Sequence, residues 1–108
     1  MFFRLLRQDR QSKARAGILH TAHGVIRTPV FMPVGTQASV KALSPQDLVQ
    51  THSQIILHNT YHLYLRPGQE LIRKAGGVQK FSSWNRPVFT SSAERKSAVS
   101  LRPCMILR

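Results

Sequence analysis

Apolar positions along the chain fall into short blocks, each closed by glycine, proline or a polar pair. The first, Gly17-Ile18-Leu19-His20-Thr21 and Val25-Ile26-Arg27-Thr28, flanks Ala22-His23-Gly24. Two extended runs about a glycine-containing turn predict a β-hairpin. Next, Pro29-Val30-Phe31-Met32-Pro33-Val34-Gly35-Thr36 is almost continuously apolar up to its glycine, the pattern of a strand covered on both faces. Pro29 and Pro33 cannot donate to a ladder, which limits its regularity. Ser44-Pro45-Gln46-Asp47 reads as a helix start: Ser44 caps, Pro45 has the φ of a first turn, and Asp47 complements the dipole. Leu48 and Val49 supply that helix with a short apolar face. The run Gln54-Ile55-Ile56-Leu57-His58-Asn59-Thr60 predicts a second buried strand with a polar end. Beyond Pro67-Gly68, Leu71, Ile72 and Ala75 lie at helical spacing in a helix over 69–75, with Gly76-Gly77 as its stop. Pro87-Val88-Phe89-Thr90 predicts a third short strand.

The order is a hairpin followed by βαβαβ. Strands alternating with helices predict an α/β fold with a parallel sheet and right-handed crossovers. In such folds, active groups gather on the loops that leave the strand ends. By that rule Val34-Gly35-Thr36 and Asn59-Thr60-Tyr61-His62 share one face, and function is expected there.

Composition narrows the class. The chain has 108 residues with 16 Lys+Arg against 4 Asp+Glu, for a formal net charge of +12. That length allows one small domain or a piece of a larger one. A hydrophobic content of 42% is too high for a simply disordered basic tail. The single cysteine, Cys104, excludes an internal disulfide framework and a cysteine-only zinc site. No apolar run approaches the roughly 20 residues of a membrane span. The leading Met1 to Arg10 alternates apolar and charged residues without an uninterrupted apolar core, which argues against secretion and for a soluble, cytoplasmic protein.

The charge is spread along the chain, with no block of like charges that marks a solvating tail. Arg4, Arg7, Arg10, Lys13 and Arg15 form a spaced basic segment that reads either as a solvated surface or as an RNA-facing patch. Contacts of that kind supply affinity and salt dependence, not sequence choice.

Most of the candidate chemistry has ordinary explanations. His58 and His62 are four apart, but the spacing falls across a strand end, where the shared face of a helix is lost and a metal pair is not expected. Asn59 and Thr60 serve equally as turn formers. No glycine pattern cradles a phosphate. Cys104 has no catalytic partner nearby in sequence and reads as a plain thiol. The carboxylates Asp9, Asp47, Glu70 and Glu94 all lie away from the predicted strand ends, so acid–base or nucleophilic chemistry has no local owner.

A set of longer strings resembles a known family. Ala14-Arg15-Ala16-Gly17, His23-Gly24, the block from Thr28 to Thr36, and Val40-Lys41 resemble the opening of tRNA-guanine transglycosylases. So do Ile55 to Leu63 and Leu65-Arg66-Pro67-Gly68, with Gly76-Gly77, Phe81 and Trp84 following in the family's order. The resemblance covers about residues 14 to 90 and is closer to the bacterial than the eukaryotic enzymes. It implies a (β/α)8 TIM barrel with an inserted zinc subdomain. It also implies exchange of guanine at the tRNA wobble position for a 7-deazaguanine, in the queuosine pathway. In that chemistry one aspartate attacks the ribose C1′, guanine leaves, and a second aspartate acts as general acid/base while the new base enters. Carried over residue by residue, Val34, Leu57, Asn59, Thr60 and His62 would line the pocket around the target nucleoside. Asn59 and Thr60 would also hold the acid/base aspartate when substrate is absent.

The chain departs from the family pattern where chemistry would be strongest. The family continues the third strand with Thr-Asp-Ser-Gly-Gly-Phe-Gln, whereas this chain reads Thr90-Ser91-Ser92-Ala93-Glu94-Arg95-Lys96. Ser91 stands where the acid/base aspartate belongs, and a hydroxyl cannot act as that general base at neutral pH. His52 stands where glycine is usual, and Val78-Gln79 replaces a common Leu-His. The nucleophilic aspartate and the zinc ligands are missing.

The expectation is therefore an N-terminal portion of the barrel over residues 1–90, incomplete and preceded by a hairpin. Residues 91–108 are expected to be a divergent tail, as a frameshift, an alternative exon or a mispredicted gene end would leave. A full barrel needs about 250 residues, so the chain is expected to be inactive alone, with no cofactor or metal of its own. Expected partners are tRNA, guanine or a 7-deazaguanine, and a homo-oligomer or full-length subunit; no membrane is expected. The alternative is a non-catalytic, basic tRNA-binding or subunit-association fragment.

Overall fold

A computed structural model describes residues 1–91 of the chain. A three-stranded antiparallel sheet leads: β1 (Phe2–Gln8), β2 (Arg15–Thr21) and β3 (Gly24–Thr28), in that spatial order. Strands β2 and β3 form the predicted hairpin, with Gly17 opposite Thr28 and Thr21 opposite Gly24. The Thr21 hydroxyl donates to the Gly24 carbonyl at 2.8 Å and accepts from the His23 N–H at 3.2 Å, which closes the turn.

Strand β1 lies where the sequence suggested only a basic segment. Its doublets Phe2-Phe3 and Leu5-Leu6, separated by Arg4, break the two-residue alternation that marks a strand. A bulge absorbs the second doublet: Leu5 pairs with Gly17, Arg7 with Ala16, and Leu6 is skipped. Only Ile26 of this sheet's apolar residues is fully buried. Its neighbour Arg27 donates its N–H to the Gln54 side chain at 2.7 Å, tying the sheet to the residues that lead into the second sheet.

The second sheet is parallel. Strands β4 (Ile56–Asn59) and β5 (Val88–Ser91) pair in register from Ile56–Val88 to Asn59–Ser91. The predicted strand over 29–36 is shorter than expected. It contributes one parallel bridge, Val34 to Leu57, built from Leu57 N–H to the Pro33 carbonyl (2.9 Å) and Gly35 N–H to the Leu57 carbonyl (2.7 Å). Pro29 and Pro33 cannot donate, so pairing does not extend backwards from Val34.

Helix α1 (Pro45–Gln50) starts as its sequence dictates. Ser44 Oγ accepts from the Asp47 N–H at 3.2 Å, and the Asp47 carboxylate accepts from the Ser44 N–H at 2.8 Å and from its hydroxyl at 2.7 Å. This is a capping box, and the Ser44 hydrogen bonds hold the Asp47 carboxyl below its ordinary value. Between β4 and β5 run three short helices: α2 (Thr60–Leu65), α3 (Gln69–Lys74) and α4 (Val78–Ser82). Helix α3 matches the predicted helix, and Gly76 at φ 86° ends it. Helices α2 and α4 were not expected. Helix α2 follows β4 without a loop, and α4 starts from Gly77, at φ 107°, which the sequence had suggested only as a stop.

Each helix buries one side chain against the parallel sheet: Leu48, Leu63, Ile72 and Val78. They join Ala38, Ile56, Trp84 and Val88 in one core, with Val40 and Phe81 packed at its border. Trp84 is its largest member, and its indole N–H donates to the Pro87 carbonyl at 3.0 Å. The Arg86 guanidinium lies 5.7 Å from the Trp84 ring centroid and donates to the Ser53 carbonyl at 2.7 Å. Among the described residues, no helix is long and apolar enough to cross a membrane.

His52, where the family usually has glycine, sits at φ 58°. A left-handed backbone costs an L-residue about 1–2 kcal/mol, part of which glycine returns through its freer unfolded chain. His52→Gly should therefore raise stability by roughly 0.5–1 kcal/mol in urea unfolding. A lower midpoint would count against strain at this position.

Candidate functional site

The strand ends predicted to converge do so. Pairing of Leu57 with both Val34 and Phe89 aligns three parallel segments. Their C-terminal ends then carry Gly35-Thr36, Asn59-Thr60 and Ser91 along one edge of the sheet. The backbone of β5 ends at Ser91; the side chain of Ser91 and the whole of 92–108, including Glu94 and Cys104, lie outside the described residues.

Asn59 ends β4 and caps α2: its side-chain oxygen accepts from the Tyr61 N–H at 3.0 Å. Thr60 opens the helix, and His62, half a turn on, is exposed beside Tyr61 with ring centroids 5.6 Å apart. Val34 and Leu57 are bridged on the neighbouring strands, and Val34 is 56% exposed. Val34 also borders an open depression of about 580 Å³ with Phe31, Val40, Leu43 and His52. Leu57, Asn59, Thr60 and His62 are not among the residues that line it. The structure thus brings Val34, Leu57, Asn59 and Thr60 to adjoining strand ends and puts His62 beyond them on α2.

His58 separates from His62 completely. It is fully buried, and its Nδ1 lies 2.6 Å from the Gly35 carbonyl. A carbonyl only accepts, so Nδ1 carries the proton and donates. Burial pushes the imidazole below its ordinary value of 6.5, opposed by the Gly35 carbonyl, which favours the charged form. This bond locks the β4 strand to the segment that bears Val34. The i, i+4 spacing with His62 draws attention to His58 as a metal ligand, but alternation along β4 puts it on the buried face with Ile56.

Gly35 makes that contact possible. A Cβ there would sit 2.9 Å from both Cε1 and Nδ1 of His58. Gly35→Ala should cost about 1–3 kcal/mol by overpacking, read as a lower thermal midpoint, and the His58→Ala background should relieve part of it. Equal losses in both backgrounds would mean that His58 is not what Gly35 accommodates.

No described carboxylate stands at the strand ends. Asp9 accepts from Ser12 Oγ at 2.7 Å and the Gln11 N–H at 3.2 Å, and the Ser12 hydrogen bond holds its carboxyl below the ordinary value. Asp47 is held by Ser44 in the α1 capping box, and Glu70 pairs with Arg73 at 2.9 Å on α3. Among the described residues no three His, Cys, Asp or Glu side chains gather as a metal-ligand group.

Comparison with known proteins adds an independent line. Residues 9–106 match the family described as Queuine tRNA-ribosyltransferase. That match runs beyond residue 90. A queuine tRNA-ribosyltransferase of Thermoanaerobacter sp. strain X514 is 58% identical over 90 residues, 83% of this chain and 24% of the relative. One of Desulforudis audaxviator is 55% identical over 92 residues, 85% of this chain and 25% of the relative. One of Fusobacterium nucleatum is 59% identical over 85 residues, covering 79% and 23%. The chain spans about a quarter of the length of these relatives.

Proposed function

The chain belongs to the queuine tRNA-ribosyltransferase family, and from that premise we propose that it carries the base-side wall of a tRNA-guanine transglycosylase pocket without the groups that drive exchange. The observation that supports this most is the parallel alignment of Val34, Leu57 and Phe89, which sets Gly35-Thr36, Asn59 and Thr60 at adjacent strand ends. In the proposed role Val34 and Leu57 offer apolar contact to the target nucleoside. Asn59, Thr60 and His62 offer hydrogen-bonding groups to the guanine or the incoming 7-deazaguanine and to the acid/base carboxylate of a complete enzyme. The substrate is tRNA, and the setting is the cytoplasm.

Exchange requires one carboxylate to attack the ribose C1′ and another to move protons. Asp9, Asp47 and Glu70 are each engaged away from the strand ends, and serine stands at position 91. The chain alone is therefore inactive in this reading. Incubation of the purified chain with tRNA and labelled guanine should give no incorporation; time-dependent incorporation would overturn the inactivity.

The charge favours a second reading, a basic tRNA-binding fragment. A net charge of +12 with its few described carboxylates locally engaged leaves cations for phosphate. Binding would then weaken steeply with salt, the logarithm of affinity falling by roughly 0.7–0.9 per phosphate neutralised for each decade of salt. Salt-independent tRNA binding would contradict it.

A further inference from the structure

The leading antiparallel sheet has a face that the strand-end site does not use. Ile26 is fully buried and turns inward, and register sets Leu19 and Phe3 on the same side. The alternate residues face outward. Phe2, His20 and Val25 form one row across the three strands, and Arg4, Ile18 and Arg27 form the next. Phe2 is 60% and Val25 54% exposed, and both arginines are exposed. The rings of Phe2 and His20 lie 5.6 Å apart, tilted by 30°, as two π-surfaces side by side. The bulge in β1 adds a third cation. In unbroken alternation Arg7 would fall on the Phe3 side; skipping Leu6 pairs Arg7 with Ala16 and returns it to the side of Arg4. Arg4 and Arg27 stand on the strands either side of Ile18, about 10 Å apart. Among the described residues no carboxylate forms an ion pair with any of these three arginines. Asp9, just past β1, is held by Ser12 and Gln11.

This face lies at the other end of the parallel sheet from Asn59 and Thr60. The Arg27 N–H bonds to the Gln54 side chain, just before β4 begins, and a Cβ at Gly24 of the hairpin turn would meet Pro87 at 3.8 Å, just before β5. Arginines without carboxylates select an anion, and rings set among them select one that carries bases. A duplex hides its base faces in the stack, whereas unpaired bases are open to stack on aromatic side chains. We propose that the outward face of β1–β3 binds single-stranded RNA, with a base stacked on Phe2 beside His20 and backbone phosphates on Arg4, Arg7 and Arg27. The inference rests on the RNA-binding reading of the preceding section and goes beyond it, naming a face away from the strand ends and the unpaired form of the RNA.

The test is fluorescence anisotropy of the full chain with a short labelled RNA single strand of mixed sequence, beside an RNA duplex of equal length. The single strand should bind at least about 10-fold tighter than the duplex. Phe2→Leu keeps apolar bulk without the ring and should weaken single-strand binding about 5- to 100-fold, whereas Phe2→Tyr should keep it. Arg4→Gln with Arg7→Gln should reduce the slope of log affinity against log salt by about 1.4. Lys74→Gln, on α3, should change neither quantity. Circular dichroism of each variant separates lost binding from lost folding. A single strand bound no tighter than the duplex, parent-like binding by Phe2→Leu, or displacement by polyglutamate as effective as by unlabelled RNA would each overturn the proposal. Equal binding of tRNA by the parent and Phe2→Leu chains would overturn this face and leave the tRNA-binding reading standing; no binding of RNA in any form would overturn both.

Discussion

Trp84→Ala should abolish cooperative unfolding of the chain. Trp84 is 2% exposed and the largest side chain of a core with eight buried members among the described residues. Truncating a buried tryptophan costs about 3–5 kcal/mol, and small domains hold only about 5–15 kcal/mol in total. The helices offer little reserve, since each buries a single residue. The ring also carries the hydrogen bond to the Pro87 carbonyl and the contact with Arg86, which join α4 to the start of β5. Trp84→Phe refills most of the volume and loses the indole donor, leaving the carbonyl unmet at about 1–3 kcal/mol. Far-ultraviolet circular dichroism with urea titration separates the cases: no transition for alanine, a lowered midpoint for phenylalanine. A Trp84→Ala chain that unfolds within 1 kcal/mol of the parent would place the core elsewhere.

Acidification should destabilise the chain from about pH 6.5 downwards, through His58. Burial lowers its folded value below the ordinary 6.5, so between those two values the unfolded chain binds the extra proton. Stability is then fully present above 6.5 and falls with pH through that window, by up to about 1.4 kcal/mol per pH unit for one group. Asp9 and Asp47, held below their ordinary value of 3.8, act in the same direction but in a more acidic window. His58→Gln removes the first window and keeps the second. Urea midpoints at pH 7.5, 6.5, 5.5 and 4.5 should slope for the parent and stay nearly flat for the variant. Equal slopes would remove His58 as the cause.

The parts of the fold legible in sequence are those encoded locally. Ser44-Pro45-Gln46-Asp47 carries its whole capping box within four residues, and the hairpin carries its turn at Ala22-His23-Gly24. The strand-end rule found the Val34 and Asn59 edge because it needs only element order. Strand β1 was hidden by its bulge, since Leu5-Leu6 places two apolar residues where alternation allows one. Helices α2 and α4 were hidden because one buried residue each, Leu63 and Val78, makes no periodicity. The Gly35–His58 contact joins residues 23 apart and depends on β4 register, which single-residue patterns do not carry. His52 made sense only once its positive φ was known.

The central claim is that residues 1–90 form a working pocket wall for guanine exchange and that the drive for exchange lies outside them. A chimera tests it most directly: residues 1–90 of this chain joined to the rest of the Thermoanaerobacter sp. X514 relative, assayed with tRNA and labelled guanine beside the 108-residue chain. The chimera should incorporate guanine and the chain alone should not. Incorporation by the chain alone, or a folded, tRNA-binding chimera that incorporates nothing, would contradict it.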